Sequence, residues 1–158
     1  MVAGMSAVIS PCGRYRYKLS RDFPGLPIRR IVWVMLNPST ADAVKNDRTI
    51  DAICAFSMQW CFTRIDVVNL YALRARDPRE LWRCEDPVGP ENDQWIRTTC
   101  AEADKVVCAW GGQGAPDRVL AVARVLPLTN CWALGRNRDG SPKHPLYVRR
   151  DTPLVPFP

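Results

Sequence analysis

IVWVMLNPSTAD, residues Ile31 to Asp42, is the stretch that decides the fold. Its first six residues are apolar and β-branched at Ile31, Val32 and Val34. The run is too short for a typical helix and does not alternate, so it reads as a strand buried on both faces. Pro38 stops it, because proline offers no backbone donor to continue a ladder. A doubly buried strand belongs inside a parallel sheet with helices above and below.

The flanking pattern agrees. Ile50, Ile53, Cys54, Ser57 and Met58 recur at helical spacing within Arg48–Cys61, with Asp47 or Thr49 as cap. Ile65–Leu70 is the next strand, Asn92–Asp104 a second helix striped by Trp95, Ile96, Thr99, Cys100 and Ala103. Val106–Ala109 is a third strand, Asp117–Leu126 a third helix and Cys131–Leu134 a fourth strand. Upstream, Arg14–Leu19 alternates polar and aromatic residues and predicts an edge strand or part of a hairpin. Alternating strands and helices define parallel βαβ units in one α/β domain spanning 1–158. Loops leaving the carboxyl ends of such strands converge on one crevice. Four loops are expected there: 37–47, 69–78, 110–116 and 135–147.

At 47% hydrophobic, the chain can fill a core. No apolar run approaches the length of a membrane span, and Met1–Val8 is too short for a span or a signal sequence. The reading is a soluble, cytoplasmic protein with no membrane partner. Seven cysteines occur without a CxxC pair, which gives no indication of a zinc ribbon or a thioredoxin-like site. Residues 1–30 carry a net charge of +5 and residues 136–158 carry +3, against −2 for the middle. If the two ends meet, they form a basic surface suited to phosphate; otherwise the charge serves solubility.

The four loops hold most of the unusual polar residues. Asn37 either orients a water or a base edge, or closes a local turn. Pro38 fixes the backbone behind it. Ser39, Thr40 and Asp42 are candidates to cap a helix and leave anion-binding amides in the crevice. Asp42 and Asp47 are alternatives as bases or metal ligands, although no carboxylate pair at helical spacing supports a metal site. Asn69 ends its strand as Asn37 does, followed by Arg74 and Arg76, which suit phosphate or pair with nearby acids. His144, the only histidine, lies in a proline-pinned basic loop with Lys143 and Tyr147. Its imidazole can donate to a carbonyl that gains charge or relay a proton. Cys131 and Ser39 stay open as nucleophiles. Tyr71, Trp110 and Tyr147 can stack on a base or simply pack.

These residues carry a resemblance. Met35–Asp42, Val68–Leu70 with Arg74–Pro78, Ala109–Gly111 and Gly140–Tyr147 look like an uncharacterised bacterial and phage domain-of-unknown-function family, number 1643. The order of landmarks also remotely resembles the uracil-DNA glycosylase superfamily. Asn37-Pro38 is similar to its early motif, Asn69 to its central asparagine and His144-Pro145 to its late histidine motif. That similarity implies a three-layer αβα sandwich around a short, mostly parallel four-stranded sheet. It implies base flipping and hydrolysis of an N-glycosidic bond, with water held by Asn37 and the leaving base stabilised by His144. Pro38, Ser39, Thr40, Asp42, Asn69, Tyr71, Arg74, Arg76, Trp110, Lys143 and Tyr147 would then surround the substrate. Some branches bind an iron–sulfur cluster, but the early cysteine pair is missing here, so no cofactor or metal is expected. The expected partner is nucleic acid, DNA favoured, or a nucleotide. Two other readings stand beside this one: a nucleotide or small-molecule hydrolase using the same crevice, and a non-enzymatic nucleic-acid or protein interaction module.

Overall fold

The computed structural model describes residues 1–157. Seven strands form a single mixed sheet: β1 (Gly4–Ile9), β2 (Arg16–Asp22), β3 (Arg30–Met35), β4 (Arg64–Asn69), β5 (Lys105–Cys108), β6 (Cys131–Ala133) and β7 (Val155–Pro156), in the order β1-β2-β4-β3-β5-β6-β7. The three helices are α1 (Arg48–Gln59), α2 (Asn92–Ala101) and α3 (Pro116–Ala123).

The apolar run at Ile31 is β3, paired in parallel with β4 on one side and β5 on the other. Its alternating side chains serve two cores. Ile31, Trp33 and Met35 pack with Ile50, Ile53 and Phe56 of α1. Val32 and Val34 pack with Ile96 and Cys100 of α2 and Val122 of α3. A strand with helix-covered faces on both sides needs apolar residues at every position, which is why the alternation is missing. Asp47 caps α1, its carboxylate accepting from the Ile50 N–H at 3.0 Å. Among the described residues, no helix is long and apolar enough to cross a membrane.

The sheet corrects the expectation of four mostly parallel strands. Those four, in the order β4-β3-β5-β6, form its parallel centre, and three antiparallel pairings extend it. Residues 14–19 lead into β2, which forms a hairpin with β1, as one of the two expectations had it, but lies inside the sheet, between β1 and β4, rather than at an edge. β1 escapes periodicity because it covers the edge only partly, with no fully buried position. β7 is two residues long and contains a proline, tolerable at an edge.

The two basic ends of the chain do not merge through their strands, since β1 and β7 occupy opposite edges. What the sequence pattern does deliver is the crossover. From β3 the chain moves to β4, then returns across β3 to β5. Adjacent strands whose outgoing connections diverge leave a crevice beyond their carboxyl ends.

Candidate functional site

A cavity of about 560 Å³ opens at that crevice, a volume within the range of small-ligand sites. Met35, Ile50 and Val67 give it an apolar base, and each of the four expected loops contributes to its wall. Asn37, Ser39, Asn69, Arg76, Trp110, Lys143, His144 and Tyr147 line it together.

The loops are stitched to one another by backbone groups. The Ala75 N–H donates to the Pro38 carbonyl at 2.9 Å, and Asn37 Nδ2 donates to the carbonyls of Pro38 and Ala75. The Asn37 amide nitrogen is thereby occupied. Its Oδ1 is the atom left to accept from a ligand or water. Pro38 lies behind the lining, buried, as the anchor of this stitch.

The loop after β6 is a hairpin closed by Asn137 N–H to Ser141 O and Lys143 N–H to Gly135 O. The Gly111 N–H reaches the Pro142 carbonyl at 3.0 Å, tying this hairpin to the loop after β5. It delivers His144 to the cavity, where the Leu146 N–H donates to its Nδ1 at 3.2 Å. A ring nitrogen that accepts carries no proton, so the neutral ring bears its hydrogen on Nε2. Burial lowers the His144 pKa, with Asp47 opposing. At neutral pH this is an uncharged hydrogen-bond donor. The Tyr147 ring stands 5.4 Å from it and is 85% exposed, a rim rather than a wall.

Asn69 is buried, and both Nδ2 and Oδ1 lack a hydrogen-bond partner. Its backbone is held instead: Asn92 Nδ2 donates to the carbonyls of Asn69 and Leu70, and Arg118 Nε donates to Leu70 O at 2.7 Å. The strand end is fixed, while the side-chain amide beside the cavity is buried with both of its polar atoms unpartnered. Buried amides are ordinarily satisfied, so an unpaired one in the wall of a cavity is unusual.

Other expected residues lie elsewhere. Asp42 caps a turn, accepting from Val44 and Lys45 N–H, while Asp47 starts the helix; neither Thr40 nor Asp42 lines the cavity. Tyr71 is buried and its hydroxyl accepts from the Ala115 N–H. Arg74 donates to Gly13 O and, with Arg14, Thr40 and Arg76, lines a shallower depression sharing Ser39, Ala75 and Arg76 with the cavity. Cys131 is buried, donates to the Pro127 carbonyl and does not reach the cavity. Among the described residues, no group of three or more His, Cys, Asp or Glu is arranged to hold a metal ion.

Sequence reasoning missed Arg16, which lines the cavity while only 2% exposed. Burial pushes its guanidinium down to about 10, so it keeps its charge at neutral pH. The signal was present: Arg16 stands between Tyr15 and Tyr17, both buried on the opposite face.

An α/β protein with a polar cavity at the switch point of its parallel strands is the class these observations define. A family model described as "Protein of unknown function (DUF1643)" matches residues 16–146, and the chain belongs to that family. No curated protein and no solved structure matches it.

Proposed function

We propose that the cavity receives a nucleobase from nucleic acid and that the protein cleaves its N-glycosidic bond. The observation carrying this reading is that Asn37, Asn69 and His144, separated in sequence, line one cavity. Asn69 presents an unpartnered donor and acceptor side by side, matching the amide edge of a pyrimidine. His144 offers Nε2–H to a base carbonyl. Asn37 Oδ1 accepts a hydrogen from water, orienting its oxygen toward the sugar. In the reaction the C1′–N bond breaks with its electron pair going to the base. Water forms the new C1′–O bond and its proton passes, through solvent, to the departing base anion, whose charge His144 stabilises until then. A base must leave its stack to enter such a site. Arg14, Arg74 and Arg76 in the adjoining depression suit the phosphates beside a flipped nucleotide. The helix-flanked parallel centre supports the αβα reading of the fold.

Purified protein incubated with oligonucleotides carrying deaminated or modified bases, then treated with alkali, reports base release as strand breaks. Cleavage reduced roughly a hundredfold or more by His144→Ala and by Asn37→Ala supports the roles assigned. Absence of base release across the panel defeats the glycosylase reading. Hydrolysis of a free nucleotide or small molecule in the same cavity is the second reading, favoured by the buried cation at Arg16.

A further inference from the structure

Arg16 has no part in the chemistry above, yet its position is built. In the pairing of β1 with β2, Val8 faces Lys18 but Ile9 faces Arg16, so Tyr17 is an extra residue in a bulge. Tyr15 and Tyr17 enter one core and Leu19 the other, the change of face that a bulge produces. Arg16 is left on the side of the sheet where the cavity lies. Its Nη1 donates to Ala41 O at 2.6 Å, while Nε is buried without a partner. Among the described residues it forms no ion pair. A buried guanidinium ordinarily meets a carboxylate or phosphate with its fork of donors. Asp47, in the same wall, acts on it only from beyond ion-pair distance, so a direct counter-charge would come from the cavity, where the unpaired amide of Asn69 also lies.

We propose that Arg16 is an oxyanion seat, and that the preferred occupant of the cavity is a nucleobase compound carrying an acidic group. Asn69 reads the amide edge of the base and Arg16 holds the negative charge. The shared chemistry is an oxyanion next to a base, whether a carboxylate on the ring or the phosphate of a free nucleotide. This rests on the nucleobase reading of Asn69.

Calorimetric titration of the full chain with uracil, uracil-6-carboxylate, uridine 5′-monophosphate and inorganic phosphate tests it. At least one of the two anionic base compounds should bind about tenfold or more tightly than uracil. That advantage should vanish in Arg16→Gln and persist in part in Arg16→Lys. Which anion wins tells whether the charge belongs on the ring or on a phosphate. Uracil binding as tightly as both anions, or an advantage retained in Arg16→Gln, overturns the seat and leaves the base reading standing. Phosphate bound by wild type and lost in Arg16→Gln, with no base compound bound, keeps the seat and overturns the base reading. No binding by any of the four overturns both. Should Arg16→Gln fail to fold, the wild-type affinity ratios decide alone.

Discussion

Asn69 lies in the cavity wall with neither amide atom bonded, so its native environment taxes the fold rather than supporting it. Replacing it by leucine removes two unsatisfied buried groups at similar volume. Asn69→Leu should therefore leave stability unchanged or raise it by roughly 1 kcal/mol, while weakening binding of a base tenfold or more. Urea denaturation beside ligand titration checks this; a clear loss of stability would mean that the amide has a structural partner. His144 yields a pH prediction. Its folded pKa is held below the ordinary imidazole value of about 6.5 chiefly by burial. The unfolded chain consequently takes up the proton first as pH falls. Stability contributed at pH 7 is lost as pH drops through 6.5 toward the folded pKa, and above 7 this residue adds no pH dependence. The difference in urea midpoint between wild type and His144→Gln should shrink between pH 7.5 and 5.5. A constant difference would mean that His144 titrates as it does in the unfolded chain.

At the scale of elements, α1 is where fold and site share a residue. Asp47 caps the helix and also faces the cavity near Arg16. Asparagine caps almost as well as aspartate, whereas alanine does not. Asp47→Ala should cost about 1 kcal/mol in thermal or urea unfolding and Asp47→Asn only a few tenths. Equal losses in both would mean that charge, rather than the cap, holds the helix start. The sequence made α1 and the four parallel strands legible because doubly buried strands read as short continuous apolar runs and a striped helix imposes its own period. It did not reveal β1, whose positions are all at least partly exposed, or β7, which is too short to carry a pattern. The same limit applied to the site. Asn37, Asn69 and His144 follow strands or sit in pinned loops, where topology predicts convergence. Arg16 lies within a strand, where its place between Tyr15 and Tyr17 tells that it faces away from them but not that this face opens on the cavity. Thr40, Asp42, Tyr71 and Arg74 are in the expected loops but outside the cavity, since a loop's sequence does not say which of its side chains turn inward.

Across the whole molecule, the site depends on β2, β3 and β4 holding their registers, and a buried network away from the cavity does this. Asp66 of β4 is fully buried, accepts from Ser20 Oγ of β2 at 2.5 Å, and has Lys18, Arg30 and Arg64 at 3.6, 3.7 and 3.9 Å. Arg30, from β3, also pairs with Glu102 after α2. Removing the carboxylate leaves cations gathered around an empty position, so Asp66→Ala should lower unfolding free energy by about 3 kcal/mol. A loss under 1 kcal/mol by urea denaturation would show that the registers are set by the apolar strands alone. The central claim is that the crossover from β3 to β4 and back to β5 opens a cavity that takes a nucleobase against Asn69. Its most direct test is the side-chain amide resonance of Asn69, identified by its loss in Asn69→Leu, followed by ¹⁵N NMR as uracil and its carboxylated and phosphorylated relatives are added. A saturable shift of that resonance with at least one of them is the predicted result. A resonance unmoved by all of them, in protein that remains folded, would contradict the account.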